Sequence, residues 1–507
     1  MTRAGPRRPP AHPFLVALVP VLALYLNNLD QVALADVLLP GLSALAIAAL
    51  VYLACGFAVK PVTKAAVLAS VLIFLFFTYG HVRIALKTAW PRQSNLSGIV
   101  LLGAVVALMA LAFYVIRRQG RTMKLASSVM DVVAVVMALT LVVPAVFSEV
   151  RATALSRGHS APHPERSVAM PGTAGAGELP DIYFVVLDRY PGLETARAIY
   201  GFDNRPFLDF LRERGFYVAE SSRCNYARTD MSLATTLNAE YVGPAYDSIE
   251  PRLRRRLLYE RIQEGSVWRR LREAGYRTHH LGTWWRPTRA NRSADVNVNH
   301  GLLSEFFMEL YKTTLLYPVG AMLDLDSHRE QWVREQVKFA YLDTAVLTNG
   351  PVFVFAHFLL PHEPYVFARD GSYQGRLRQM KVGVEDGFAG QLEYTNTRLR
   401  KWIGLVLDDT SRKSVIVLQA DEGPHPPENF AARESSVTLR ARLEILTAYH
   451  FPDSDYSALY QSISPVNTFR VLLAKLLGDS TQLVPDASFE CVRGRWTAAN
   501  QQDMDPN

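Results

Sequence analysis

Five long apolar runs stand within the first 147 residues of this 507-residue chain, and buried helices of soluble proteins rarely come five in a row. They are Phe14–Leu29, Val32–Val59, Ala65–His81, Gly98–Ile116 and Leu125–Phe147, each near the ~17–25 residues that cross a bilayer core. The first follows arginines, as a secretion signal would. Asn27, Asn28 and Asp30 offer no small-residue cleavage pattern, however, and four more runs follow, so it reads as a retained span. Residues 1–147 are therefore expected to form a five-helix transmembrane domain. Residues 148–179, rich in Ala, Gly, Pro, Arg and His with little apolar periodicity, read as a linker. Residues 180–480 read as one folded domain, and 481–507 as a polar, irregular C-terminal tail with Gln501–Asn507 frayed.

Basic residues near span ends stay on the cytoplasmic side of a membrane. Arg3, Arg7 and Arg8, then Lys60 and Lys64, then Arg117, Arg118, Arg121 and Lys124 all fall on one side. An odd number of spans then places the large domain on the extracytoplasmic face. The loop His81–Arg92 runs against this rule, with Arg83, Lys87 and Arg92 on the external side. Interfacial snorkelling and a cradle for lipid phosphate both account for it. The formal charge of +7 is spread over these loops and scattered arginine clusters, the densest being Arg252, Arg254, Arg255 and Arg256. No nucleic-acid module accompanies them, so a solvated helix face or anionic lipid heads are the expected surroundings. Three cysteines are too few for a disulfide framework. Cys55 lies in a span, which leaves a bond between Cys224 and Cys491 open.

Beyond Pro180 strand-like runs appear at Ile182–Leu187, Phe216–Ala219, Arg277–Gly282, Val352–His357, Val415–Ala420 and Ile445–Phe451, with helical patterns between most of them. Such alternation predicts an α/β domain with a mainly parallel sheet flanked by helices. Asp188 ends the apolar strand in PDIYFVVLDRY. Alone it would be read as a turn former or cap. Asp421 and Glu422 end a second such strand in VIVLQADEGP, and two acidic strand ends in one α/β domain are the arrangement expected of a divalent-cation site. Thr229 in CNYARTDMSLATTLN stands ahead of a helical run. It reads either as a helix cap or as a hydroxyl activated by a metal and the helix dipole. In FAHFLLPHEPY, His357 and His362 read either as structural hydrogen-bonders or as groups that bind or protonate an anionic leaving group.

The set LDRY, NYARTDMSLAT, GYRTHHLGTW, HFLLPHEPY and QADEGP resembles, in order and approximate spacing, the alkaline phosphatase and sulfatase superfamily. Within it, the five spans and external domain look like lipoteichoic acid synthases and phosphoethanolamine transferases. The resemblance implies an alkaline-phosphatase-like fold, a bacterial inner-membrane location and a periplasmic catalytic domain. It implies Thr229 as a nucleophile that becomes phosphorylated, Asp188 and Asp421 as metal ligands and His362 as a binder of the transferred group. Relatives commonly read Asp-His-Gly where this chain has Asp421, Glu422 and Gly423. An all-oxygen set of Asp188, Thr229, Asp421 and Glu422 suits Mn²⁺ or Mg²⁺ better than Zn²⁺. Its negative charge asks for compensation by Arg228, His357, His362 or His425, unless Glu422 turns away and His425 supplies a nitrogen. Cys224 to Arg228 matches the sulfatase Cys-x-Pro-x-Arg only in part, with Tyr226 at the proline position, so Thr229 is preferred.

These readings combine into a metal-dependent membrane phosphotransferase. It would move a phosphoglycerol- or phosphoethanolamine-like headgroup from a phospholipid donor onto an envelope glycan or lipid acceptor, without nucleic acid. An ester hydrolase of the same superfamily and a non-catalytic envelope scaffold are the alternatives.

Overall fold

The computed structural model of the protein describes residues 9–29, 32–89, 94–120, 122–158, 179–243, 246, 249–301, 303–322, 327–345, 350–409, 411–426, 435–480, 482–492 and 495–499. Most of the expected linker and the end of the expected tail lie outside the described residues. The chain forms two compact units, Met1–Ser160 with Leu303–Asp326, and Ala161–Leu302 with Ser327–Asn507. Its principal helices are α1 His12–Asn27, α2 Leu34–Ala58, α3 Val62–Ala89, α4 Ser94–Arg118, α5 Lys124–Gly158, α6 Thr229–Thr236, α7 Glu305–Thr313, α8 Leu316–Met322, α9 Ser327–Ala345 and α10 Val384–Asp408. The strands are β1 Asp181–Leu187, β2 Tyr217–Val218, β3 Arg277–Leu281, β4 Val296–Val298, β5 Val352–Phe358, β6 Ser414–Ala420, β7 Thr447–His450, β8 Phe489–Val492 and β9 Arg495–Ala498.

In the first unit, α2 to α5 are each long and apolar enough to cross a membrane, whereas α1 is a shorter apolar helix of 16 residues. Their outward faces carry large apolar side chains, with Phe57 89% and Leu50 68% exposed. Such surface is costly in water and unremarkable in lipid. Inside, Ala17, Val21 and Tyr25 of α1 pack against the other helices. Asp131 accepts the Ala11 and His12 amides at 2.9 and 2.8 Å, satisfying donors that a helix start leaves open.

The same unit contains α7 and α8, which the chain reaches after β4 and leaves into α9. Nothing in the sequence pattern separated this excursion from the α/β domain. Phe306 and Leu310 of α7 are buried in the membrane-helix core. The turn between α7 and α8 seats on α3: the Phe76 carbonyl accepts the Leu315 amide at 3.0 Å. A Cβ on Gly80 would stand 2.4 Å from the Lys312 carbonyl oxygen, so this close approach requires glycine.

The second unit is built on a seven-stranded sheet of order β2-β7-β6-β1-β5-β3-β4. β6, β1, β5, β3 and β4 run parallel, and β7 is antiparallel to both its neighbours. Strands β1, β5 and β6 are buried along their whole length, which is why they read as continuous Val, Ile and Phe runs. Alternate residues serve the two faces: Tyr183, Val185 and Leu187 pack with Leu399 and Trp402 of α10. Ile182, Phe184 and Val186 pack with Trp268 and Phe469. Beyond Gly478, where the sequence reads as irregular, β8 and β9 form a hairpin.

Candidate metal centre

Strands β6, β1 and β5 are neighbours in register, and this decides which side chains meet at their carboxyl ends. Leu187 pairs with Ala420, so the residues one step further on, Asp188 and Asp421, stand side by side. Val186 pairs with His357, which brings an imidazole to the same edge. Ligand-type atoms of Asp188, His357 and Asp421 all lie within 4.8 Å of one another, and each residue is buried. The His357 Nε2 is 3.8 Å from an Asp188 oxygen. Thr229 is the first residue of α6, and its hydroxyl is among the groups that pull the Asp421 carboxyl down, so the helix start faces the cluster.

The electrostatics are those of a site short of positive charge. Burial and then the Asp421 carboxylate push Asp188 well above the ordinary carboxylate range. Burial and the neighbouring Glu422 raise Asp421 to about 7, although Thr229 and two backbone amides pull the other way. His357 is held neutral, first by burial and then by the charge of Lys338. Asp188 Oδ1, Asp421 Oδ2 and His357 Nε2 are buried and have no hydrogen-bond partner among the described residues. Buried polar atoms are normally satisfied, so converging orphans of metal-ligand type fit a cation. Two carboxylates, one neutral imidazole and one hydroxyl are a coherent donor set.

Glu422 lies outside the three-residue cluster. Its Oε1 accepts Arg189 Nε at 3.3 Å and stands 3.6 Å from His425 Nε2. Burial pushes its carboxyl up, but His425 and the charges of Arg189 and Arg442 outweigh this and leave it below the ordinary value. The nitrogen in the cluster is His357, which the sequence places with the substrate, while His425 pairs with Glu422, whose Oε2 is likewise buried without a partner among the described residues. His362 is lowered to about 4, first by burial and then by the Arg189 charge. Its loop is held by Gln391 of α10, which donates to the Pro361 and His362 carbonyls at 3.2 and 2.8 Å. Arg228 is already engaged with Asp230, at 2.6 Å from Nε.

Several supporting residues escaped the sequence reading. Thr288 Oγ1 lies 2.9 Å from His357 Nδ1, leaving Nε2 to face the carboxylates. Lys338 of α9, fully buried, donates to the His357 carbonyl and pairs with Glu335 at 2.9 Å. Burial lowers the Lys338 ammonium to about 8. Arg189 sits at φ 59°, and its amide donates to Asp421 Oδ1 at 3.2 Å. Gly423 admits no side chain, since a Cβ would stand 2.0 Å from the Ala441 oxygen. Cys224 is buried with its thiol aimed at the Arg442 carbonyl at 3.5 Å, and burial raises it well above its ordinary value. Cys224 and Cys491 are both free.

Among solved structures, the chain is similar to the integral membrane lipooligosaccharide phosphoethanolamine transferase A of Neisseria meningitidis. The match covers 93% of this chain and 96% of that one, at 12% identity and a TM-score of 0.44. A second likeness is to the C-terminal periplasmic domain of EcEptC from Escherichia coli in complex with zinc, over 65% and 96% at 14% identity and TM-score 0.42. A third is to the lipoteichoic acid synthase LtaP from Listeria monocytogenes, over 61% and 75% at 14% identity and TM-score 0.38. These are the kinds of protein that the sequence motifs resemble. No family profile matches the sequence, and no curated protein matches it.

Proposed function

We propose that the protein is a membrane-embedded, metal-dependent phosphotransferase with an extracytoplasmic catalytic unit. Its donor is a phospholipid with a phosphoglycerol- or phosphoethanolamine-like headgroup, and its acceptor an envelope glycan or lipid. One observation carries this reading: buried ligand atoms of Asp188, His357 and Asp421 converge without partners among the described residues beside the helix start at Thr229, whose hydroxyl acts on Asp421. In this reading Asp188, His357, Asp421 and the Thr229 oxygen hold a divalent ion. A nitrogen in the set makes Zn²⁺ or Mn²⁺ as suitable as Mg²⁺. When bound, the ion polarises the phosphodiester and stabilises the Thr229 alkoxide.

The chain's own residues do the rest. The Thr229 oxygen forms a bond to phosphorus as the bond from phosphorus to the lipid oxygen breaks. The phospho-headgroup is left esterified to Thr229, and the lipid oxygen takes up the proton that the Thr229 hydroxyl gives up, leaving as a lipid alcohol. The positive end of α6 favours the anionic nucleophile. His362, neutral at pH 7, hydrogen-bonds the transferred group, and Arg189 offsets the charge that Glu422 adds. The acceptor hydroxyl then displaces Thr229, giving two-step kinetics. Membrane anchoring supplies the reason for a lipid donor, since a tethered unit meets it at high effective concentration.

The decisive experiment incubates the full chain with headgroup-labelled phospholipid and divalent metal, then maps Thr229 by mass spectrometry. Phosphorylated Thr229, with label passing into an envelope polymer, is the expected result. Label appearing only in water would indicate the hydrolase alternative. An unmodified Thr229 under all conditions would favour the scaffold.

A further inference from the structure

Arg83 is the charged residue in the membrane unit whose surroundings are least explained. Its Nε is buried without a hydrogen-bond partner, and among the described residues no carboxylate pairs with it. Its guanidinium carbon lies 4.7 Å over the ring of Tyr317 in α8. Tyr317 is buried, with the Tyr311 ring 5.7 Å away. This aromatic floor is fixed, because the α7–α8 turn seats on Phe76 and Gly80 of the same helix face that carries Arg83. The neighbours of Arg83 and Tyr317 along their helices are exposed and apolar: Val82 and Ile84 of α3, and Leu316 and Val319 of α8.

Depth points the same way. From Lys64, beside the loop read as cytoplasmic, to Arg83 is 83 − 64 = 19 residues, or ~28 Å at ~1.5 Å per residue. The hydrocarbon core is about 30 Å thick, so Arg83 stands where the opposite headgroup layer begins. A half-buried guanidinium with no counter-charge among the described residues is costly unless an anion meets it. The abundant anion at that depth is the phosphodiester of a membrane lipid.

We propose that Arg83 and Tyr317 form a phospholipid-binding site in the membrane unit. The tyrosine face takes one side of the guanidinium by cation–π attraction, and the N–H edge forks onto two phosphate oxygens. The acyl chains lie along Val82, Ile84, Leu316 and Val319. The site goes beyond the catalytic reading and needs only that these helices lie in a bilayer. It selects a phosphate group on a diacyl body, not a particular headgroup. A merely snorkelling arginine would behave differently, because lysine snorkels equally well but cannot make the planar fork.

Native mass spectrometry of the full-length protein in detergent tests this, titrating phosphatidylglycerol, diacylglycerol of the same chains and inorganic phosphate. All variants carry Thr229→Ala, so turnover does not consume lipid and this result is separable from any failure of the transferase reading. The tightest-held phosphatidylglycerol is expected to weaken at least about tenfold in both Arg83→Gln and Arg83→Lys, and less in Tyr317→Leu. Diacylglycerol should be held weakly by all. Retention in Arg83→Lys equal to that of the parent overturns the site, and this variant decides the matter if Arg83→Gln fails to fold. Equal binding of diacylglycerol, or inorganic phosphate displacing the lipid at similar concentration, also overturns it.

Discussion

Two polar clusters in the α/β unit, each centred on fully buried side chains, are built on opposite terms. Beneath the segment that leads into α6, Asn225 is 0% exposed, and its amide is fully used. It donates to Ser464 Oγ at 3.0 Å and the Ala487 carbonyl at 2.8 Å, and accepts the Val466 amide at 2.8 Å. Asp486 and Asn467 extend the network. At the strand ends, Asp188, His357 and Asp421 converge and leave ligand atoms without partners. Burial of polar groups therefore does not by itself mark a site. A satisfied network holds the chain in one arrangement, whereas converging orphans are held ready for something else.

The largest expected effect removes the nucleophile. Thr229→Ala should cut transfer by at least on the order of 10³-fold with unchanged circular dichroism, while Cys224→Ser should stay within a few-fold of the parent. Loss of transfer in Cys224→Ser alone would hand the chemistry to the sulfatase-like cysteine. Next comes the satisfied network. Asn225→Ala leaves several buried partners open and should cost about 2–5 kcal/mol in thermal unfolding, with divalent metal giving no rescue. A neutral result would mean the network is dispensable and the contrast false.

The smallest effect is on pH dependence and has a definite sign. Asp421 rises from 3.8 to about 7 in the folded protein, so the native state binds its proton more tightly than the unfolded chain does. The corresponding stability of metal-free protein is fully present below pH ~4 and is lost as pH rises through about 7. Melting temperature should fall across that window, and Asp421→Asn should flatten the slope. Added Zn²⁺ or Mn²⁺ should stabilise more at pH 8 than at pH 5, because it competes with protons. A flat metal-free profile would show that the carboxylates find other compensation.

Much of this arrangement is legible in the sequence where a local pattern determines it. The apolar runs become α1 to α5, and the strands ending at Leu187 and Ala420 deliver Asp188 and Asp421 as their acidic endings suggest. Thr229 opens a helix, as its position before Leu233 indicates. What was not legible depends on pairing between distant segments. The choice of His357 over His425 as the nitrogen in the cluster follows from the β1–β5 register, which no single segment encodes. Glu422 faces Arg189 and His425 because of where the chain turns after β6. The helices α7 and α8 have the composition of ordinary globular helices, and only the packing of α7 on α2 and α3, with α8 against α7, assigns them to the membrane unit.

That excursion bears on how the molecule can be dissected. The backbone passes between the units at residues 160/161, 302/303 and 326/327, so one protease cut in the segment after Gly158 does not release the α/β unit. A secreted fragment beginning at Pro180 would still carry Phe306 and Leu310 stripped of their neighbours, and should aggregate. Replacing 303–326 with a short polar bridge is the change that would make such a fragment soluble.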